Sequence, residues 1–417
     1  MKRQSFDYAR NVVNCRYCQS SDLYTFLKLG NQPPSNSFIS AKDIKNEIFY
    51  PLNLCICQNC FLVQLDTVVS PKITFDDYLY LSSTSKALKA HYAKLAKYIT
   101  TKYSLKKDDI IIDIGCNDGI LLNEFEKNKM IRIGIEPSKV AKFALASGLI
   151  VYNDFFNKQV SKEIEKTHGK AKIITATNVF AHIDDIEDFL TNLITILEKN
   201  GTFIIEAPYL IDLMEQTLFD TIYHEHLSYL SITPLEGLFN KYGLEIYRVD
   251  RVPFGASGPA IRVFVGFMHM HTISKSVQEI INQEKIWGIS KISNYLAFTN
   301  NVLKTKSAIW SLIHKYKLSK ENLGGYGAPA KGNTLLNFFE LSSNEISCIA
   351  ETNELKQGLV TPGTHIPIVS EEEFLSIMPK FALLLSWNYL NYFLSKSLYI
   401  KNKGKFLVPI PKPRILP

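Results

Sequence analysis

The sequence predicts an α/β protein in which a doubly wound parallel sheet is flanked by a small N-terminal module and a second, smaller α/β domain. Between residues 109 and 206, short apolar strands alternate with helical segments. A second glycine-rich turn followed by a helix pattern begins at residue 323, and two Cys-x-x-Cys pairs lie within the first 60 residues. Since 417 residues exceed one ordinary core, we expect three domains, at 1–72, 73–272 and 273–417.

Composition limits the partners of the chain. The excess of 47 Lys and Arg over 40 Asp and Glu gives a net charge of +7, without a long basic run. We therefore expect no nucleic-acid partner, whereas an anionic small substrate is compatible. The N-terminus lacks the apolar core of a signal peptide, and no apolar run approaches the ~20 residues of a membrane span. We expect no membrane association and a cytoplasmic protein with reduced or metal-bound cysteines.

The two cysteine pairs, Cys15-x-x-Cys18 and Cys57-x-x-Cys60, indicate a structural zinc site. Two such knuckles supply the four thiolates of a tetrahedral zinc cage, which leaves no open position for chemistry. A redox dithiol is one alternative, although it needs only one pair and usually follows a strand, and a chance occurrence of cysteines is another. Cys55 is out of phase with the second pair and is interpreted as a bystander.

The first glycine turn follows an apolar strand and has the pattern Asp-x-Gly-x-x-x-Gly. Glycines let the backbone approach a ligand, while the dinucleotide fingerprint Gly-x-Gly-x-x-Gly is absent. A second strand ends in Glu136, which is placed to bind both hydroxyls of a ribose. This order of motifs resembles the class I S-adenosylmethionine-dependent methyltransferases, and a generic nucleotide-binding fold is the alternative. The expected cofactor contacts are Asp113, Gly115, Asn117, Gly119, Glu136, Asp154, Phe155 and Asn178.

Residues 75–85 are rich in hydroxyl groups and precede an amphipathic helix that the pattern predicts over residues 86–102. Ser83 or Ser85 would serve as the N-cap of this helix. A functional interpretation is that Tyr78 and Tyr80 line a pocket before the helix begins. The sequence leaves the two interpretations open.

The stretch Thr221–Tyr229 concentrates titratable side chains, with Tyr223, His224, Glu225 and His226 in consecutive positions. It is consistent with a polar loop, a metal site or a proton-transfer site. The metal interpretation weakens because zinc already has four cysteines and the histidine spacing is not that of a zinc protease. Together with His182, the stretch suits removal of a proton from a carbon acid or a hydroxyl group. We expect an irregular loop here, with His224 in a structural role.

The second glycine turn, at residues 323–337, opens a Rossmann-like α/β domain. Backbone amides at a helix start bind phosphate oxygens, and Lys331 adds positive charge. A strand is predicted over residues 345–350. We expect this domain to hold a diphosphate; a domain that only packs is the alternative. The expected substrate contacts are Tyr326, Lys331, Asn333, Thr334, Asn353 and Lys356.

Together these motifs resemble the sugar C-methyltransferases of nucleotide-deoxysugar pathways over nearly the whole chain. The motifs that carry the resemblance are the two cysteine pairs, Tyr78–Ser83, Asp113–Gly119, Asn178–His182, Tyr223–His226, Gly325–Thr334 and Pro362–Pro367. The resemblance implies a zinc-binding domain, a methyltransferase core and a C-terminal α/β domain. It also implies S-adenosylmethionine as methyl donor and a nucleotide-linked 4-keto-deoxysugar, typically a dTDP sugar, methylated beside its ketone.

Carried over by residue, the resemblance makes His226 the base that removes the proton α to the ketone. Its implied neighbours are His182, Tyr223, Glu225 and either Tyr78 or Tyr80. One departure affects the pocket: the family's His-Gly-Gly-Ser-x-Arg stretch is replaced by the sequence of residues 254–262. Two alternatives remain: an O- or N-methyltransferase acting on a sugar or phosphosugar, and a zinc-containing binding module with a vestigial methyltransferase fold.

Overall fold

The protein is described from a computed structural model, in which residues 8–75, 81–125, 129–255 and 258–417 are described. Within these ranges, no helix is both long enough and apolar enough to cross a membrane.

The N-terminal module is built from short antiparallel strands. They are β1 (Ala9–Asn11), β2 (Leu23–Gln32), β3 (Tyr50–Cys57), β4 (Val63–Leu65) and β5 (Thr67–Val69). β2, β3 and β4 are neighbours in one sheet, and β1 pairs with β5. The first cysteine pair precedes β2, and the second begins at the last residue of β3. The strand pairing therefore brings both knuckles to the same end of the sheet.

Two helices connect this module to the central sheet, α1 (Pro71–Phe75) and α2 (Lys86–Lys102). The bounds of α2 are those that the sequence predicts, and Ser85 is its N-cap, with Oγ accepting the Leu88 amide at 3.3 Å. Leu88, Leu95 and Ile99 are buried on one face, at the spacing of an amphipathic helix. This face packs against the central sheet.

The central domain alternates strands and helices. Its strands, with one short strand that joins the N-terminal sheet, are β6 (Ile110–Ile114), β7 (Ile131–Ile135), β8 (Ile150–Tyr152), β9 (Ala171–Thr177), β10 (Leu197–Pro208), β11 (Ser228–Tyr229), β12 (Leu244–Gly255) and β13 (Gly258–Phe267). Its helices are α3 (Ala141–Ala146), α4 (Lys158–Thr167), α5 (Ile186–Ile196), α6 (Leu210–Glu215) and α7 (Ile232–Asn240). β6 is buried along its whole length, as expected of a strand covered on both faces.

The spatial order of the central sheet is β12-β13-β10-β9-β6-β7-β8. β6 to β10 are parallel, while β13 runs antiparallel to both of its neighbours. The chain winds outward from β6 through β7 to β8 and then returns to β9 on the other side of β6. This reversal creates a switch point between β6 and β9, where ligands bind in doubly wound sheets. The class I methyltransferase fold predicted from the sequence is confirmed.

β11 leaves the central domain and extends the N-terminal sheet. Ser228 and Tyr229 pair with Gln64 and Val63 of β4, and the Leu65 amide donates to the Leu227 carbonyl at 3.0 Å. The loop that contains His226 therefore ends on the N-terminal module.

The C-terminal region begins with two helices, α8 (Lys275–Trp287) and α9 (Ile292–Tyr316). The following strands are β14 (Leu323–Tyr326), β15 (Ile349–Ala350), β16 (Ile368–Val369), β17 (Phe381–Leu384), β18 (Lys405–Val408) and β19 (Arg414–Leu416). The helices between them are α10 (Ala330–Phe339), α11 (Glu371–Ile377), α12 (Leu390–Lys396) and α13 (Leu398–Lys401). The sheet order is β16-β15-β14-β17-β18-β19, parallel except for β19. A second α/β domain is thus present.

Two details differ from the sequence prediction. The strand expected over residues 345–350 is reduced to Ile349 and Ala350, because Glu345 accepts the Ser342 amide at 2.9 Å and holds the preceding residues in a turn. The hydrophobic cores are also shared between the predicted domains. One cluster joins Leu54 of the N-terminal sheet, Leu210 of the central domain and Leu323 of the C-terminal sheet. The three units pack as one body around the central sheet.

Candidate active site

A large cleft lies outside the carboxyl ends of β6, β7 and β9, at the switch point of the central sheet. Its volume is about 2030 Å³, and residues 33–50 of the N-terminal module contribute to the opposite wall. A pocket for one small ligand is typically ~300–1,000 Å³. The cleft therefore has room for a cofactor and a substrate at the same time.

The first glycine turn forms one wall of this cleft. Gly115 has φ of 72°, and a Cβ atom at this position would lie 2.3 Å from Val179 Cγ2. Only glycine fits such a conformation and such a close approach without strain. Gly119 has φ of 80° and faces Leu149, from which a Cβ atom would lie 2.5 Å. Gly119 serves packing of the turn, whereas Gly115 lines the cleft.

Glu136 lies at the end of β7 and lines the same wall. Its Oε2 accepts the Asn117 amide at 3.0 Å. Its Oε1 accepts the amide of Ser138 at 2.9 Å and the hydroxyl of the same residue at 2.6 Å. These bonds fix the carboxylate; Oε1 uses both of its lone pairs in them, whereas Oε2 keeps a second lone pair for a ribose hydroxyl.

The side chains of the glycine turn also hold the segment before α2. Asn117 Oδ1 accepts the Ser82 amide at 3.0 Å, and Asp118 Oδ2 accepts the Ser83 amide at 2.9 Å. Asn117 still lines the cleft, as expected of a cofactor contact. Tyr78 and Tyr80, the expected pocket tyrosines, lie outside the described residues.

The remaining cofactor candidates divide into two groups. Phe155 and Asn178 line the cleft. Asp113 is buried beneath the turn, where it accepts the Thr175 hydroxyl at 2.6 Å, and burial raises its pKa to about 7. Asp154 lies on the exposed loop after β8 and accepts the Phe155 amide at 2.7 Å. Both carboxylates accept local hydrogen bonds, and their expected contact with the cofactor stays a prediction.

The loop with the two histidines begins at a short 3₁₀ turn, Phe219–Thr221, and is irregular as expected. The His226 amide donates to the Tyr223 carbonyl at 2.9 Å and closes a turn. His226 Nδ1 donates to the Thr221 carbonyl at 2.7 Å. Since a carbonyl oxygen can only accept, Nδ1 carries the proton, and Nε2 of the neutral ring keeps its lone pair.

The His226 ring lies against two other candidates. Its centroid is 4.0 Å from the Tyr223 ring and 5.1 Å from the His182 ring. Burial lowers the pKa of His226 to about 4. Burial, together with the electrostatic effect of the neighbouring His226, lowers the pKa of His182 well below its ordinary value. Both rings are neutral at pH 7. The buried His226 imidazole is therefore deprotonated at neutral pH and can accept a proton.

Glu225 lies on the wall of the cleft and is held by the N-terminal module. Asn36 Nδ2 donates to Glu225 Oε1 at 2.7 Å. Burial raises the pKa of Glu225 to about 7, against the opposing effects of Asn36 and Lys356. The sequence interpretation did not include Asn36. The signal was present, because polar residues follow the stiff Pro33-Pro34 pair.

His224 is anchored on the opposite side of the turn. Its Nε2 donates to the Pro51 carbonyl at 3.2 Å, and its ring meets Tyr50 edge-on with centroids 6.0 Å apart. Burial lowers its pKa to about 4. His224 thus contacts β3 and is also among the residues that line the cleft, and its structural role stays a prediction.

Two of the expected diphosphate contacts in the C-terminal domain, Tyr326 and Lys331, are buried within the protein. Tyr326 is buried among aromatic rings, where its hydroxyl donates to Glu371 and bonds Ser397. Lys331 is buried with Nζ 4.2 Å from the centre of the Trp387 ring. These two side chains face the interior because the turn before α10 is covered by the rest of the domain.

Four further candidates also bond the protein itself. Asn333 Nδ2 donates to the Ser35 carbonyl at 2.7 Å, and Thr334 Oγ1 donates to the Ile222 carbonyl at 3.0 Å. Asn353 Oδ1 accepts the Leu355 amide at 3.0 Å. Lys356 Nζ donates to the Ala328 carbonyl at 2.8 Å. All four are thus bonded within the chain, and their role as substrate contacts stays a prediction.

The four cysteines of the two knuckles converge. Their Sγ atoms all lie within 4.8 Å of one another, with 3.4 Å between Cys15 and Cys60 and 3.5 Å between Cys18 and Cys57. Thiolates around tetrahedral zinc, with Zn–S of ~2.3 Å, lie ~3.8 Å apart. The donor set therefore fits zinc. Cys55 lies apart, with its thiol donating to the Gln64 carbonyl.

Comparisons with known proteins agree with this architecture. Family models match in order: a zinc binding domain over residues 15–75, a methyltransferase domain over residues 83–249, and a C-methyltransferase C-terminal domain over residues 256–411. The C-methyltransferase NovU from Streptomyces niveus is 31% identical over 414 residues, which cover 98% of this chain and 98% of NovU. The chain belongs to the C-methyltransferase family.

The methyltransferase is thus an S-adenosylmethionine-dependent enzyme with a zinc site in its N-terminal module. Similar solved structures include a methyltransferase from Anabaena variabilis, 18% identical over 43% of this chain and 85% of that chain, with a TM-score of 0.34. The magnesium protoporphyrin IX methyltransferase ChlM from Synechocystis is 10% identical over 42% of this chain and 81% of that chain, with a TM-score of 0.32.

Proposed function

We propose that the enzyme methylates carbon in a nucleotide-linked 4-keto-deoxysugar, in particular a dTDP sugar, at the carbon next to the ketone. The observation that carries this proposal is the state of His226. Its Nδ1–H bond to the Thr221 carbonyl leaves Nε2 as a base, and burial keeps the ring neutral. A carbon acid needs such a base, because the proton must be removed before the carbon can accept a methyl group.

In this mechanism His226 Nε2 removes the proton from the α-carbon, and the electrons of the C–H bond form the enolate. The negative charge that develops on the ketone oxygen needs hydrogen-bond donors. Tyr223 and His182 lie against the His226 ring and carry O–H and N–H groups for this purpose. Glu225, fixed by Asn36, is suited to bind a sugar hydroxyl.

S-adenosylmethionine, held along Gly115, Asn117, Glu136, Phe155 and Asn178, supplies an electrophilic methyl group when bound. Its sulfonium would transfer the methyl group to the enolate carbon, and the electrons of the broken C–S bond would remain on a neutral thioether. The chain's own contribution to this step is alignment, which can supply a large share of a rate enhancement. The cleft volume of about 2030 Å³ supports two ligands side by side.

The test uses a panel of dTDP-4-keto-deoxysugars in deuterated buffer, without methyl donor to follow exchange and, in a second incubation, with S-adenosylmethionine to follow methylation. We expect exchange at the α-carbon in the wild-type enzyme and loss of both exchange and methylation in His226→Asn, by ~10²-fold or more. Affinity for S-adenosylmethionine, measured by isothermal titration calorimetry, should be unchanged in this variant.

His224→Asn is the matched control, because it removes the other histidine of the same turn. It should retain exchange, since His224 is bonded to the Pro51 carbonyl. Full activity of His226→Asn would contradict the assignment of the base. Methylation at oxygen or nitrogen without any α-carbon exchange would favour an O- or N-methyltransferase instead.

A further inference from the structure

The glycine turn and helix α10 of the C-terminal domain contact the loop that precedes His226. Phe219 packs against Phe338 and Phe339, with ring centroids 5.2 and 5.8 Å apart. These three rings are buried, and full burial of a large apolar side chain contributes ~1.5–3 kcal/mol. The 3₁₀ turn Phe219–Thr221 is therefore fixed on α10 by apolar packing.

A charged contact holds the next residue. Asp220 is fully buried, and its Oδ2 accepts the Trp387 Nε1–H at 2.6 Å. Lys331 Nζ lies 4.0 Å from the same oxygen. A buried carboxylate is tolerated only where such groups compensate its charge. Lys331, which the sequence suggested as a phosphate ligand, instead neutralises a residue of the loop that contains His226.

Thr334 holds the peptide next to the one that orients His226. The Thr221 carbonyl accepts from His226 Nδ1, and the Ile222 carbonyl accepts from Thr334 Oγ1 at 3.0 Å. Because the one hydroxyl proton of Thr334 is used in this bond, the contact of 3.3 Å with Ser35 has Ser35 as the donor. Of two consecutive carbonyls, that of Thr221 is thus bonded to His226 and that of Ile222 is bonded to α10.

The same junction reaches Glu225. Asn333 Nδ2 donates to the Ser35 carbonyl at 2.7 Å, and Asn36, the next residue, donates to Glu225 Oε1 at 2.7 Å. Ser35, Asn333 and Thr334 are all buried. One turn of α10 therefore supports both the segment that fixes Glu225 and the loop that fixes His226.

We propose that Thr334 is a positioning residue for His226, and that the second glycine turn with α10 holds the catalytic loop in place of a diphosphate. The inference rests on the proposed function of His226 as base. Without the Thr334 hydroxyl the Ile222 carbonyl loses its partner, so the neighbouring peptide can rotate and the Thr221 carbonyl no longer fixes Nδ1–H. A displacement of about 1 Å costs ~10²-fold in rate.

Thr334→Val keeps the shape of the side chain and removes the hydroxyl. We expect kcat with a dTDP-4-keto-deoxysugar to fall ~10- to 100-fold, while KM and the Kd of S-adenosylmethionine change less than about twofold. Thr334→Ser restores the hydroxyl and should recover kcat. Ser35→Ala removes only the hydroxyl that donates to Thr334 and leaves the Thr334 bond to the Ile222 carbonyl in place. It should therefore lower kcat less than Thr334→Val does.

The matched control is Thr305→Val in α9, where a buried threonine hydroxyl donates to the Asn301 carbonyl at 2.9 Å. It should lose thermal stability without a loss of kcat. If kcat falls in both Thr305→Val and Thr334→Val, and in each variant falls in proportion to the loss of melting temperature, Thr334 is a purely structural residue. That result would overturn the proposal.

A second readout does not depend on the reaction. In protein with ¹⁵N-labelled histidine, the ring nitrogens of His226, assigned by their loss in His226→Asn, should report the Nδ1–H tautomer in the wild type. They should report a mixture in Thr334→Val. An unchanged tautomer with unchanged kcat overturns the positioning role while the base assignment stands. If His226→Asn remains active, the proposed function fails, and the tautomer of Thr334→Val still decides whether Thr334 orients the ring.

Discussion

The two glycine turns of the molecule share a local design and differ in what they contact. Each follows a central strand of a parallel sheet, β6 or β14, and each is fixed by a carboxylate from the end of the next strand. Glu136 accepts the Asn117 amide at 3.0 Å, and Glu351 accepts the Ala328 amide at 2.7 Å. The first turn lines the cleft, whereas the polar side chains after the second bond the chain itself.

This difference shows that a strand, a glycine turn and a helix do not by themselves define a ligand site. Neither glycine leaves room for a Cβ, which would lie 2.3 Å from Val179 Cγ2 at Gly115 and 2.3 Å from Ser386 Oγ at Gly327, but of the two Gly115 alone lines the cleft. Two residues before the glycine, the first turn has Asp113 and the second has Gly325. The surroundings of each turn, set by distant parts of the chain, decide its role.

The largest effect that separates the turns is expected from Gly115→Ala. The new Cβ would collide with Val179 at 2.3 Å, and φ of 72° is unfavourable for alanine. If the backbone at residue 115 or the Val179 side chain moves to relieve this contact, the part of the cleft that binds the cofactor becomes narrower. We therefore expect the affinity for S-adenosylmethionine, measured by calorimetry, to fall ~100-fold or more, a loss of about 3 kcal/mol in binding free energy.

Gly327→Ala is the counterpart in the second turn, with φ of 79° and an equally close contact. It should lower the melting temperature and leave cofactor affinity unchanged. A large loss of cofactor affinity in both variants would show that the two turns do not act separately.

A smaller effect is expected from the two carboxylates. Glu136→Gln keeps one oxygen but places an NH₂ group where a ribose hydroxyl or a backbone amide must donate, so cofactor affinity should fall ~10-fold. Glu351→Gln should destabilise the loop after β15 and leave the Kd of S-adenosylmethionine unchanged. Binding by Glu136→Gln at wild-type affinity would remove Glu136 from the cofactor site.

Much of this architecture follows from local pattern in the sequence. The five parallel strands of the central sheet, the bounds of α2 and the pairing of the cysteine knuckles depend on periodicity, capping and spacing, which are read from neighbouring residues. Gly115, Glu136 and the loop from Tyr223 to His226 are also recognisable, because unusual side chains stand where strands end.

The partners of these residues could not be predicted in the same way. Asn36 contacts Glu225, and Thr334 contacts the Ile222 carbonyl, across more than 100 positions of sequence. Lys331 was interpreted as a phosphate ligand because a cation at a helix start is typical of such sites, yet Asp220 neutralises it in the interior. Burial and long-range pairing override local pattern at these positions.

The last expected effect is on stability, not on cofactor affinity: it is the pH dependence that Asp113 gives to the first turn. Burial raises its pKa from the ordinary 3.8 to about 7 in the folded protein. Between these values the folded state binds the proton and the unfolded state does not. The contribution of Asp113 to stability therefore falls as pH rises through this window, by ~1.4 kcal/mol per unit at most, and is constant above it.

Asp113→Asn removes this titration, so the difference in melting temperature between variant and wild type isolates it from all other groups. We expect the difference to shift in favour of the variant between pH 5 and pH 7 by ~2 °C per unit and to level off by pH 8. Gly325 occupies the corresponding position of the second turn and cannot titrate. A difference that stays flat across this range would show that Asp113 is ionised throughout, and the first turn would then carry a permanent buried charge that the second turn lacks.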